Sequence, residues 1–120
     1  MDSKTNVQDL KESVKEFCEK RDWGKYHGAK DLAIGVSTEA SELLEIFRFK
    51  DEKEVEALFR RPVKRQKVAE ELADVLYFLL RFSQKYKIDL SDALKSKMAE
   101  NEKRYPLSKS RGSNKKYLEF

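Results

Sequence analysis

Residues 70–80 read EELADVLYFLL, the most apolar run in the chain, yet the run opens on acids. Val68, Leu72, Val75, Leu76 and Leu79 recur at three- and four-residue steps, the signature of an amphipathic helix. On a wheel of about 100° per residue, these five form the centre of the apolar arc, Glu71 projects between Phe78 and Phe82, and Asp74 falls beside Phe78. Residues 39–45, EASELLE, repeat the design. There Leu32, Val36, Ala40, Leu43 and Phe47 centre the arc, with Glu39 inside its edge and Glu42 one step further round. Glu45 turns away toward Ser41 and Arg48, so its expected fate is solvent or a salt bridge. Two long helices that each carry an acid pair at i and i+3 on the border of a packing face are expected to meet along that border.

The rest of the chain extends the helical pattern. Val7, Leu10, Val14, Phe17 and Cys18 predict a first helix from about Asn6 to Lys20, and the two glycines of RDWGKYHG then predict a loop carrying Trp23, Tyr26 and His27. A second helix is predicted over Lys30–Phe49. Asp51 and Glu54 predict a short third helix before Pro62, a long helix follows over Val63–Lys87, and a last one capped by Asp89 or Ser91 runs to about Arg104, before Pro106. With 40% charged residues, four glycines and two prolines, the composition agrees with an all-α fold of four main helices in a bundle. The expected organisation is a helical catalytic domain over residues 1–106 and a basic C-terminal tail over 107–120.

Composition also excludes. A single cysteine, Cys18, rules out an intramolecular disulfide, and with one histidine the chain lacks the ligands of a Cys/His zinc site. We expect a reducing, cytoplasmic setting. No N-terminal segment resembles a signal peptide, and the longest apolar run, Val75–Leu80, is far short of the ~20 residues of a membrane span, so no membrane partner is expected. The net charge of +4 is concentrated in residues 103–116, KRYPLSKSRGSNKK, which contain no acid and suit an anionic ligand or a solvated tail.

Four carboxylates at an apolar seam raise one another's pKa and oppose folding unless they reach solvent, meet Lys or Arg, or hold a cation. In a chain with 22 acids a single pair is common by chance. Two pairs on helices that pack together form an oxygen-donor cluster suited to Mg²⁺, with Mn²⁺ as the alternative, rather than to zinc or copper.

Glu39-x-x-Glu42 followed after 28 residues by Glu71-x-x-Asp74 resembles the signature of the MazG-type, all-α nucleoside triphosphate pyrophosphohydrolases. The resemblance is nearest to the dCTP pyrophosphatase branch and extends over roughly residues 10–117, through RDWGKYH, EASELLEIFRFK, EELADVLYFL, DLSDALKSKMAENEKRYP and KKY in that order. It implies an Mg²⁺-dependent hydrolase that cleaves between the α and β phosphates of a (deoxy)nucleoside triphosphate, with dCTP or a modified dCTP as a candidate substrate and pool sanitation as the role. Glu39, Glu42, Glu71 and Asp74 would then be the catalytic metal ligands.

Base contacts implied by the same resemblance fall on Val14, Trp23, Gly24, Lys25, Tyr26, His27, Phe49 and Phe78. The branch has Trp and Tyr where this chain has Phe49 and Phe78, which keeps the stacking surface and removes a polar handle. Phosphate or base contacts are implied for Lys97, Asn101, Arg104, Tyr105, Lys115, Lys116 and Tyr117. The apolar arc of the long helix spans about half its wheel, wider than the ~100° stripe one neighbour covers, so a second copy of the chain is an expected partner. The resemblance implies a homotetramer built as a dimer of dimers. The alternatives are a phosphoribosyl-ATP or dUTP hydrolase of the same superfamily, or a non-enzymatic helical module that binds nucleic acid through its basic tail.

Overall fold

The computed structural model describes all 120 residues and is all-α. Helices α1 (Val7–Lys20), α2 (Ala29–Phe47), α3 (Glu52–Phe59), α4 (Pro62–Lys85), α5 (Leu90–Arg104) and the single turn α6 (Leu107–Ser110) follow one another, with 3-10 turns at Gly24–Tyr26 and Tyr117–Glu119. No helix is long and apolar enough to cross a membrane. Local chemistry explains the starts. Asn6 and Asp9 form a reciprocal capping box on α1, Asp51 accepts from the Glu54 amide at 2.8 Å, and Asp89 accepts from the Asp92 amide at 2.9 Å. Pro62 occupies the first turn of α4, where a missing N–H costs nothing.

Two compact units divide the chain, Met1–Lys87 and Ile88–Phe120. In the first, α4 is the central helix, and α1, α2 and α3 all pack against it. Leu32 and Cys18 are fully enclosed, with Leu58, Val68 and Leu80 completing the core. The Cys18 thiol and the Tyr77 hydroxyl lie 3.1 Å apart across the α1–α4 seam, and the stacked rings of Phe47 and Phe59, 5.8 Å between centroids, join α2 to α3. In the second unit the tail does not trail away from α5. Tyr105 meets Tyr117 and Phe120 edge-on at 5.8 and 5.9 Å, and the Arg104 guanidinium lies 4.8 Å over the Tyr117 ring.

The α2–α4 seam depends on Gly35. A Cβ there would come within 2.5 Å of the Phe78 ring, so glycine is what lets the two acidic helices approach.

Two sequence expectations are corrected. Leu72, Leu76 and Leu79, placed at the centre of the packing arc, are 53%, 42% and 42% exposed. The face that α4 turns to its neighbours in the chain runs instead through Val68, Glu71, Val75 and Phe78 on one side and Tyr77, Leu80 and Arg81 on the other. A wheel finds the apolar arc, but it does not say which part of the arc meets which helix. The second correction concerns Phe49, which lies outside α2. That helix stops at Phe47, and Phe49 adopts a left-handed φ of 63° with 89% of its surface exposed.

Candidate metal centre and aromatic loop

Glu39 and Glu42 on α2 and Glu71 and Asp74 on α4 converge, one carboxylate oxygen from each lying within 4.8 Å of the others. The i, i+3 spacing puts each pair on one face of its helix, and the close approach at Gly35 brings the faces together. Burial is graded, with Glu71 enclosed, Glu39 half-buried, and Glu42 and Asp74 open. This is an electrostatic conflict that the chain resolves only in part.

Lys67, one turn before Glu71 on α4, holds Oε1 of that carboxylate at 2.8 Å and keeps its pKa below the ordinary value. Hydrogen bonding to Glu42, together with loss of hydration and the charges of Glu42, Asp74 and Glu71, pushes Glu39 up to about 7. Oε2 of Glu39 and Oε2 of Glu71 are both buried without a hydrogen-bond partner. Orphaned carboxylate oxygens are costly. Two of them inside a cluster of hard oxygen donors fit a divalent cation bound through oxygen, which would use the lone pairs and offset the repulsion.

The profile of the MazG-like family matches residues 34–120, a span that contains all four acids. The chain belongs to the MazG-like family. Among curated relatives, a dCTP pyrophosphatase 1 from Bos taurus is 33% identical over 98% of this chain and 70% of its own length. The human dCTP pyrophosphatase 1 is 34% identical over 95% of this chain and 67% of its own. Among solved structures, a pyrophosphatase from Archaeoglobus fulgidus is 41% identical with a TM-score of 0.76, covering 83% of this chain and 92% of that one. This MazG-like chain therefore shares its fold with a pyrophosphatase of known structure.

The other expected contacts divide into three groups. Trp23, Gly24, Lys25, Tyr26 and His27 form a tight loop around the 3-10 turn, where Trp23 meets Phe17 edge-on at 5.6 Å and His27 at 6.3 Å. Val14 belongs to the same neighbourhood, lining with Ser13, Phe17 and Tyr77 a shallow apolar hollow of about 250 Å³. Phe78 instead packs against Gly35 and Tyr77, and Phe49 stands apart under the Arg48 guanidinium, 4.5 Å from its ring. Lys97, Asn101, Arg104, Tyr105, Lys115, Lys116 and Tyr117 lie in the second unit, where Glu100 pairs with Lys97 at 3.5 Å and with Arg104 at 2.5 Å.

Sequence reasoning missed two features of this MazG-like fold. Lys50, Arg61, Lys64 and Lys67 line a groove of about 490 Å³ formed with Glu45, Glu54 and Leu58, and only their positive charge marked them in advance. Arg81 and Lys85 hold the aromatic loop. Arg81 Nε donates to His27 Nδ1 at 3.0 Å, and Lys85 Nζ donates to the carbonyls of Gly24 and His27 at 2.6 and 2.5 Å. Their partners are more than 50 residues away in sequence, so no local pattern announces them.

Proposed function

We propose that the protein, a nucleoside triphosphate pyrophosphatase, cleaves the α–β phosphoanhydride of a deoxynucleoside triphosphate to the monophosphate and pyrophosphate, with dCTP or a modified dCTP as the leading substrate. The observation that carries it is the convergence of Glu39, Glu42, Glu71 and Asp74 with two orphaned oxygens, in a chain similar over nearly its whole length to dCTP pyrophosphatases. Those four residues would hold Mg²⁺, which when bound supplies charge neutralisation for the triphosphate and a water of lowered pKa.

The remaining work falls to the chain itself. A carboxylate of this set, or one just outside it, would accept the proton of the attacking water. The Trp23–His27 loop offers an aromatic face to the base. The cationic groove of Lys50, Arg61 and Lys64 suits the polyphosphate end. Leu72, Leu76 and Leu79 support assembly into a homo-oligomer, with a dimer of dimers as the expected form and light scattering after size exclusion as its test.

A panel of ribo- and deoxynucleoside triphosphates, dUTP and phosphoribosyl-ATP, assayed for pyrophosphate release with MgCl₂ and with EDTA, tests the proposal. Metal-dependent release that is fastest with dCTP or its modified forms is expected. No release from any nucleotide would overturn the enzymatic assignment, and fastest turnover of phosphoribosyl-ATP or dUTP would overturn the substrate.

A further inference from the structure

Arg81 is a buried cation that meets no carboxylate. Its Nε donates to His27 Nδ1 at 3.0 Å and its Nη1 to Gln84 Oε1 at 2.5 Å, both neutral acceptors. A guanidinium has no acceptor and does not lose its proton, so this geometry is possible only if Nδ1 of His27 carries a lone pair. The single proton of the neutral imidazole must then sit on Nε2, at the far side of the ring from Arg81.

The backbone of the same loop is held independently. Lys85, one turn beyond Arg81, donates to the carbonyls of Gly24 and His27. One helix face therefore fixes both the path of the loop and the tautomer of its histidine. The groups facing His27 are Arg81 and Lys85 on α4 and Asp31 in the first turn of α2, and of these only Asp31 favours the charged ring. Partial burial and the two cations outweigh it, so protonation is shifted below the ordinary value.

We propose that Arg81 and Lys85 are positioning residues for nucleotide recognition, locking the Trp23–His27 loop so that His27 presents Nε2–H as a fixed donor to an oxygen acceptor of the bound nucleotide. This role presupposes the base-contact assignment of the loop made above. Neither residue touches substrate. Their effect is specificity through pre-ordering, because a histidine free to change tautomer offers a donor only part of the time, and a loop free to move must be ordered when the ligand arrives.

The chain has one histidine and one tryptophan, so each is a private spectroscopic reporter. In the full-length protein without nucleotide, long-range ¹H–¹⁵N correlation of the imidazole should show an unprotonated Nδ1 and a protonated Nε2, with a titration midpoint below that of a free histidine. Arg81→Met should mix the tautomers and return the midpoint upward. Lys85→Met should leave the tautomer fixed while changing the emission of Trp23.

With dCTP and Mg²⁺, each variant should raise KM on the order of tenfold, the value of one hydrogen bond, with kcat changed less than about threefold. His27→Gln keeps an N–H near the Nε2 position and should recover most of the affinity that His27→Asn loses. Arg81→Lys serves where Arg81→Met does not fold, and it should weaken the lock in the same direction. A protonated Nδ1 in the wild-type protein, or a midpoint unmoved by Arg81→Met or Arg81→Lys, overturns the lock. A changed tautomer with unchanged KM overturns the recognition role. Failure of the substrate assignment is distinct, because it would appear as no nucleotide turnover by the wild type while the imidazole spectrum still reads the lock directly.

Discussion

Glu71 and Arg81 stand on the same helix, 4% and 3% exposed, and the chain treats them differently. Arg81 is held by His27 and Gln84, while Glu71 has one oxygen on Lys67 and the other on nothing. Nearly three turns of α4 separate a charge the fold satisfies from one it leaves half satisfied. The first arrangement is a strut, complete without a ligand. The second leaves a demand that something outside the chain must meet, and three more acids around it give that demand a sign. A buried charge is thus a stronger functional pointer when its partners are missing than when its burial is deep.

The contrast breaks most visibly if Glu71 is neutralised. Glu71→Gln keeps the shape and removes one oxygen-donor charge, and we expect kcat/KM with Mg²⁺ to fall by at least about 100-fold, consistent with several kcal/mol of metal-borne transition-state stabilisation. The fold should persist, since the amide keeps an oxygen for Lys67 while one charge leaves the acid cluster, and circular dichroism with a thermal melt checks that. Retained activity in Glu71→Gln would remove the acid cluster from catalysis.

Proton linkage sharpens the same contrast. The unfolded chain gives up the Glu39 proton near the ordinary 4.5, and the folded chain only near 7, so between those values the folded state holds more protons. Stability from this group is complete below about 4.5 and is lost as pH rises through about 7. His27 acts oppositely, its contribution being lost as pH falls below the ordinary 6.5, so the clean window lies above 6.5. Melting temperature measured in EDTA should decline from pH 6.5 to 8, and MgCl₂ should flatten or reverse the decline because the cation replaces the proton. The slope should vanish in Glu39→Gln. An EDTA melting curve that rises over this range in the wild type would contradict the shift.

Gly35 tests whether the seam itself matters. A methyl group at this position must displace the Phe78 ring, at a typical overpacking cost of about 1–3 kcal/mol, against a gain of up to ~1 kcal/mol in helix propensity. Gly35→Ala should therefore destabilise the protein modestly in urea and weaken Mg²⁺ binding, because forcing the helices apart separates the acid pairs. Unchanged metal affinity would show that the four acids do not act as one site.

How far these features could be read in advance follows from where their partners lie. The acid pairs were legible because both members of each pair sit within one helical turn, where spacing fixes direction. Asp51 and Asp89 were legible as caps for the same local reason. Gly35, Arg81 and Lys85 were not, since each owes its role to residues that only the tertiary fold brings near. Leu72, Leu76 and Leu79 read as the centre of an apolar arc, yet the chain leaves them about half exposed, because periodicity records that a face is to be covered and not by what. FRFK contains no glycine to mark a stop, so the pattern extends α2 to Phe49, and the chain ends the helix with a left-handed phenylalanine instead.

The smallest expected effect is at Glu45, the third glutamate of EASELLE, and it isolates direction from composition. Glu42 and Glu45 are one helical step apart, identical in chemistry and both exposed, yet only Glu42 joins the cluster. Glu45 pairs with Arg48 at 2.8 Å, both side chains more than half exposed, an arrangement worth roughly 0–1 kcal/mol. Glu45→Gln should leave Mg²⁺ affinity and kcat/KM within about twofold and lower stability by less than about 0.5 kcal/mol. Glu42→Gln should weaken the metal site while leaving the Glu45–Arg48 pair in place. If Glu45→Gln impaired metal binding as much as Glu42→Gln does, general negative charge rather than the two inward-facing pairs would be attracting the cation.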